Sequence, residues 1–296
     1  MEFRFPAPPG YTDEPIWTGR DFLIGSKKVR ILKYNKNDEG WNLNLTDFHE
    51  KENKSGNHYT DRASRLHVLF ELEKYVHNKN AVILEIGISS GYLLCEIWKM
   101  FPEKFLIGSD CIPEPLEKNI RQLPCVPLIQ FDLVHCPLPD NCVDVVIALN
   151  VLEHIKNDES ALQQIYRILK PSGYAILEVP ANQDLFDFYD EHLKHFRRYD
   201  LLEFSDRIQK LKFKILTASH LGFFVYPAFK YIKHRNKKRE FRTEAEKLAY
   251  MKNLIQIGGP IANKMLFFLM LIELYLGKII QYPTGIRCLL TLKKES

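Results

Sequence analysis

Three acids and two glycines stand where a chain can grip a nucleoside. The apolar run Ala81–Leu84 ends in Glu85. Gly87 and Gly91 follow, with Ser89 between them, and then an apolar segment of helical character. A glycine turn ahead of a helix lets the backbone approach a ligand where a Cβ would clash, and it points N–H groups at an anion. Asp110 ends the next apolar run and suits hydrogen bonds from two ribose hydroxyls. Asp132 follows the third run, placed to accept from an adenine amino group. Acids at successive strand ends together with the glycine turn describe a site for an adenosine-containing cofactor. A dinucleotide fingerprint wants G-x-G-x-x-G. Here the spacing is G-x-x-x-G, and Ser89 stands where the middle glycine would be. The acid at the first strand end favours S-adenosylmethionine over NAD.

A second set of residues suits proton transfer. His154 follows Glu153 beyond a fourth apolar run, and His192 and His195 lie in the segment EHLKHFRRYD beyond a fifth. Histidine is the side chain whose ordinary pKa best suits a base at neutral pH. His195 is the preferred base and His154 the second candidate. His192, Arg197, Arg198 and Tyr199 are candidates for the acceptor side, the arginines for a phosphate or carboxylate. The plainer readings are a solvated helix for the histidines and pairing with Asp200 or Glu203 for the arginines. Tyr59, Arg62 and Arg65 are candidates to close over a carboxylate from a preceding helix, against a reading as helix-surface charge.

The elements that must position these groups alternate. Helices are expected over 62–76, 91–100, 114–122 and 159–169, and strands over 81–86, 104–109, 126–131, 143–149 and 174–179. Lys170-Pro171-Ser172-Gly173 reads as a helix stop. A helix over 201–211 and strands over 212–219 and 287–293 follow. Largely apolar strands between helices predict an α/β fold with a mostly parallel sheet covered on both faces. The expected division is an N-terminal arm over 1–60, a domain over 61–220 and 284–296, and a helical, basic and apolar insertion over 221–283.

Several of these stretches resemble class I S-adenosylmethionine-dependent methyltransferases of the type 11/12 branch. They are VILEIGISSGYLL, LIGSD, IQFDL, the long run LPDNCVDVVIALNVLEHIKNDESALQQIYRILKPSGYAILEVP, and HLKHFRRYD, spanning roughly residues 80–200. The resemblance implies a Rossmann-like, seven-stranded sheet in the order 3-2-1-4-5-7-6, the last strand antiparallel. It implies that Glu85, Gly87 and Gly91 line the methionine end of S-adenosylmethionine. Asp110 then holds the ribose, Asp132 with Leu133 the adenine, and Asn150 lies under the sulfonium. Ser89 and Cys111 complete the cofactor-binding set. Similar quinone-pathway O-methyltransferases hold a divalent metal with an E-x-x-E-H run. Asn150 replaces the first acid of that run, so no metal is expected.

The implied reaction is methyl transfer, to oxygen on a small-molecule or lipid- or glycan-linked acceptor. The alternative is a cofactor-binding but inactive partner protein. Net charge is +4 over 296 residues, too small to imply nucleic acid. The six cysteines form no C-x-x-C pair. Cys95, Cys111, Cys142 and Cys288 are expected to pack as small hydrophobes in a cytoplasmic protein. Lys230, Lys233, Arg235, Lys237, Lys238, Arg239 and Arg242 precede an apolar helix over 265–276. That helix is short of the roughly 17–25 residues a span needs. Basic next to apolar suits a peripheral membrane surface through 221–280, against a solvated face plus a buried helix.

Overall fold

The computed structural model describes residues 3–35, 58–255 and 259–295. In chain order the strands are β1 (Ile16–Trp17), β2 (Phe22–Ile24), β3 (Lys27–Val29), β4 (Ile31–Lys33), β5 (Val82–Ile86), β6 (Phe105–Asp110), β7 (Leu128–Gln130), β8 (Val143–Leu149), β9 (Leu169–Pro180), β10 (Phe213–Leu221) and β11 (Arg287–Lys294). The helices are α1 (Tyr59–Tyr75), α2 (Tyr92–Met100), α3 (Pro113–Asn119), α4 (Asp158–Ile168), α5 (Phe188–His192), α6 (Leu201–Lys210), α7 (Tyr226–Lys237), α8 (Glu244–Ile255) and α9 (Gly259–Leu276).

The sheet runs β10-β11-β9-β8-β5-β6-β7-β4. Counted from β5, this is the expected 3-2-1-4-5-7-6 order, and β11 is antiparallel to both β9 and β10. The expected seven strands become eight. The arm supplies β4, which pairs parallel to β7 at the edge, and it folds β1–β3 into a separate small sheet. Ile31, Leu32 and Lys33 were too short a run among polar residues to read as a strand. The arm's stretch 36–57 lies outside the described residues.

The central strands are apolar on both faces because helices cover both. Ile83, Val145 and Ile147 face α1, α2 and α3, while their neighbours Leu84, Val146 and Ala148 face α4 and α6. This is the two-residue alternation of a strand, with each fully buried Val, Ile or Leu contributing about 1.5–3 kcal/mol. α4 begins where Asn157 accepts a hydrogen bond from the Ser160 N–H at 3.1 Å. It buries Ala161, Leu162, Ile165 and Ile168. Lys170–Gly173 belongs to the extended run of β9 rather than to a turn after the helix. Ser172 takes a left-handed φ of 64°, and the pairing with β8 shifts register there.

Between β10 and β11 stand α7, α8 and α9. α9 packs on α1 through Met270 and Leu274 against Ala63, Leu66 and Phe70. Cys288 is buried, but Cys111, expected to pack inside, is exposed. It sits one residue past the end of β6, where the chain turns out of the sheet.

Candidate active site

β5, β6 and β8 end side by side, and a cavity of about 870 Å³ opens at their C-terminal ends. That is the upper part of the range for small-molecule sites. The first wall is the turn after β5. Gly87 and Gly91 have φ of 75° and 68°. A Cβ on Gly87 would lie 2.7 Å from Val151 Cγ2, and one on Gly91 would press into the Asn119 amide. Glycine is required at both places. Ser89 is also left-handed at φ 43°. Its N–H donates to Asp110 Oδ2 at 3.3 Å, and its carbonyl accepts from Asn119 Nδ2 at 2.7 Å. Ser89 therefore adopts a glycine-like backbone and keeps the turn closed. No side chain caps the first N–H groups of α2.

The acids differ in their surroundings. Glu85 is buried, and its Oε2 has no hydrogen-bond partner. Burial, and the nearby Asp110 charge, push its carboxyl well above the ordinary range. Burial also pushes Asp110 up to about 6, against the pull of N–H bonds from Ile112 and Ser89. Asp132 caps a short 3-10 turn, accepting from the Val134 N–H at 3.0 Å and lying 3.2 Å from His135 Nδ1. Its carboxylate retains lone pairs for another donor. Glu85, Gly87, Ser89, Gly91, Asp110, Cys111, Asp132, Leu133 and Asn150 all line the cavity. An unpartnered buried carboxyl beside a cradle that a Cβ would obstruct fits the aminoacyl end and nucleoside of S-adenosylmethionine.

Asn150 takes φ 53° and donates from Nδ2 to Glu178 Oε1 at 2.9 Å. The same oxygen accepts from Ser64 Oγ at 2.9 Å and Arg287 Nη1 at 2.6 Å. Arg287 Nη2 reaches Asp61 Oδ1 at 3.0 Å. Sequence reading missed Glu178 and Arg287. They lie on β9 and β11, and only the antiparallel pairing brings them together. Tyr59 and Arg65 line the cavity, and Arg65 also pairs with Glu96 at 3.0 Å. Arg62 does not line it and instead lies 3.7 Å from the Phe267 ring centroid.

The histidines come together. The His154 and His195 rings meet edge to face with centroids 4.6 Å apart, and both line the cavity. His195 Nδ1 lies 3.0 Å from Asp190 Oδ1. Burial alone would raise the Asp190 pKa. His195, Arg198 and Lys233 outweigh it and hold the group well below the carboxylate range. An ionised carboxylate only accepts, so Nδ1 carries the hydrogen and Nε2 keeps its lone pair. Burial lowers the His195 pKa, with Arg198 and Lys233 adding to it and Asp190 opposing. The ring is neutral at neutral pH.

Asp190 is the residue that sequence reading missed most consequentially. Its Oδ1 also accepts from Arg198 Nη1 at 2.9 Å, and its Oδ2 from Lys233 Nζ at 2.7 Å. Lys233, read from sequence as one of a surface basic run, is buried between Asp187 and Asp190. Its neighbours Phe229, Ile232 and Asn236 on α7 wall the same cavity, with Tyr189, Leu193 and Phe196.

Three of the acceptor-side candidates lie elsewhere in the fold. His192, Arg197 and Tyr199 do not line the cavity. Arg197 Nη1 pairs with Asp158 Oδ1 at 2.6 Å, and the Tyr199 hydroxyl donates to Asp158 Oδ2 at 2.8 Å. Both are spent on joining the EHLKHFRRYD segment to α4. Arg198 lines the cavity but is committed to Asp190, not to Asp200 or Glu203.

Glu153, His154 and His195 each offer a ligand atom within 4.8 Å of the others, an arrangement that can hold a cation. Glu153 is fully buried with neither oxygen hydrogen-bonded, and burial pushes its pKa to about 8.

The model of the methyltransferase domain family matches residues 84–177. The chain is similar to the uncharacterised methyltransferase YdaC of Bacillus subtilis, 31% identical over 42% of this chain and 68% of that protein. It is also similar to an uncharacterised methyltransferase-like protein of Schizosaccharomyces pombe, 28% identical over 43% of this chain and 49% of that protein. The chain thus spans about half the length of the second relative and about two thirds of the first. Its fold resembles that of a Haloferax volcanii methyltransferase solved in complex with the Trm112 methyltransferase activator. The TM-score is 0.57 at 14% identity, covering 86% of this chain and 99% of that one. The matched residues run from β5 into β9, the strands whose ends build the cavity, and the chain belongs to the class I S-adenosylmethionine-dependent methyltransferases.

Proposed function

We propose that this protein methylates a hydroxyl oxygen on an apolar, small or lipid-linked acceptor. The observation that supports this reading is the Asp190–His195 pair in the wall of the cavity that also carries Glu85 and Asp110. When bound, S-adenosylmethionine supplies an electrophilic methyl group and leaves as a neutral thioether. Glu85, Gly87, Ser89 and Gly91 hold the methionine end. Asp110, with Cys111 beside it, holds the ribose, and Asp132 with Leu133 the adenine. Asn150, fixed by Glu178, lines the cavity beyond β8 and would help to hold the reacting end of the cofactor.

His195 Nε2 takes the proton from the acceptor hydroxyl as its oxygen attacks. Asp190 holds the ring in the tautomer that leaves Nε2 free and favours the imidazolium that forms. Phe229 and Ile232 give the acceptor side of the cavity an apolar wall. Positioning and desolvation are what the chain adds, since the donor is already reactive.

The test is transfer of labelled methyl to a panel of hydroxylated small molecules and polyprenyl- or glycan-linked lipids. His195→Ala is expected to lose roughly 10²–10⁴-fold in turnover, with calorimetric cofactor affinity unchanged. Full turnover in that variant removes His195 as the base. Tight cofactor binding with no S-adenosylhomocysteine released from any acceptor favours the inactive-partner reading. The unpaired Glu153 supports a second reading, in which Glu153, His154 and His195 hold a divalent cation that acidifies the hydroxyl. Loss of turnover on chelation, restored by one metal, selects that reading.

A further inference from the structure

α9 is largely apolar, and among the described residues only one side of it is covered. Inward, Phe267, Met270 and Leu274 pack towards α1. Outward, Ile261, Met265, Phe268, Ile272 and Tyr275 recur at helical spacing, Ile279 follows just past the helix, and all are exposed, from 38% at Ile272 to 86% at Ile279. An exposed apolar stripe of this length marks an interaction surface.

The charges on this ridge are of one sign. Lys264 and Lys278 are exposed near its two ends. The only acid in the helix, Glu273, is turned inward and buried. Its carboxylate accepts from the Gly222 N–H at 2.6 Å and the Phe224 N–H at 3.3 Å. That contact sets the half-exposed Phe224 beside the C-terminal half of α9, where its ring meets Tyr282. Among the described residues no helix is long and apolar enough to cross a membrane. An apolar ridge with lysines at its margins and no outward acid matches the interface of an anionic bilayer, with side chains among the acyl ends and ammonium groups at the headgroups.

We propose that α9 lies in the plane of an anionic membrane surface and holds the protein there through its outward face. The site is one element away. α9 packs on α1, whose Tyr59, Asp61, Ser64 and Arg65 line the cavity, and Asn263 Oδ1 accepts from the Tyr59 N–H at 2.9 Å. The inference stands apart from the acceptor reading, because a surface-bound enzyme can still methylate a soluble molecule.

Flotation of the full chain with phosphatidylglycerol-containing vesicles tests it, with pure phosphatidylcholine vesicles as control. The chain is expected to float with the anionic vesicles and to release as salt rises. Phe268→Asp and Ile272→Asp each weaken binding by roughly tenfold or more, since each removes an inserted apolar side chain. Lys264→Glu combined with Lys278→Glu removes the preference for anionic lipid. Unchanged cofactor affinity and melting temperature show that the variants fold, as these side chains lie outside the core. The proposal is overturned by absence of flotation at low salt, or by binding indifferent to these substitutions. It is equally overturned by light scattering that shows a stable dimer which Phe268→Asp dissociates, since the ridge is then covered by a second copy.

Discussion

Asp190 binds His195 and Lys233 at once, with Oδ1 3.0 Å from the imidazole Nδ1 and Oδ2 2.7 Å from the ammonium. The carboxylate is thereby kept ionised in a buried place, and it can orient the histidine without taking its proton. The pair predicts a pH profile. His195 has a lowered pKa, so Nε2 holds its lone pair at neutral pH and loses it as pH falls below the ordinary imidazole range. Turnover should be full near pH 7.5 and fall on the acid side. Arg198 and Lys233 lower the His195 pKa and Asp190 raises it. Lys233→Met should therefore move the acid limb to higher pH, which rate measurements across pH 5–8 would read.

The same substitution has a cost in stability. Lys233, Asp187 and Asp190 have side chains at most 6% exposed. Removing the ammonium leaves carboxylates buried with less compensation, and breaking such a pair costs about 3–5 kcal/mol. Urea unfolding of Lys233→Met, with cofactor absent, should show that loss.

Cofactor affinity should depend on pH through Asp110. Burial raises its pKa to about 6 in the free protein. Ribose hydroxyls donate to the ionised form, so binding must first remove the proton at acid pH. Affinity should be flat above pH 7 and weaken by at most about tenfold per unit below pH 6 from this group. Calorimetry at pH 7.5 and 5.0 checks it, and Asp110→Asn should flatten the dependence while lowering affinity.

The turn after β5 should separate two substitutions. Ser89→Gly relieves a left-handed conformation that costs a non-glycine residue about 1–2 kcal/mol, and should leave stability equal or higher with cofactor still bound. Gly91→Ala drives a Cβ into the Asn119 amide at φ 68° and should loosen the turn and weaken the cofactor. Melting temperature and cofactor titration distinguish them.

Tyr199 should matter for folding and not for the acceptor. Its buried hydroxyl donates to Asp158, which Arg197 and Arg207 also bind. Tyr199→Phe should cost about 1.5–3 kcal/mol, the range for a bond to a charged group, with the acceptor KM unchanged. A raised KM at unchanged stability would restore Tyr199 to the acceptor site.

That the donor-side candidates gather at one cavity was legible in the chain because each carries a local signal. Glu85, Asp110 and Asp132 each close a short apolar run, and Gly87 and Gly91 mark a turn that only glycine permits. Strand order followed from the resemblance. Less legible were the places where a residue's surroundings depend on a partner far along the chain. Arg197 and Tyr199 looked like acceptor ligands because they stand beside His195 in sequence, yet their side chains turn back to Asp158 on α4. Cys111 looked apolar and lies exposed at a strand end.

By itself the sequence determined that an α/β sheet presents acids and a glycine turn at neighbouring strand ends, because alternation of apolar runs and helical periods is a property of adjacent residues. Tertiary structure alone decided that Asp190 meets Lys233 across 43 residues and Glu178 meets Arg287 across 109. The ionisation of a buried group is set by which charges the packing delivers to it, and no local pattern carries that information. The same holds for α9. Its apolar composition is visible in sequence, but which side it covers with α1 and which it leaves exposed depends on where the sheet puts its two flanking strands.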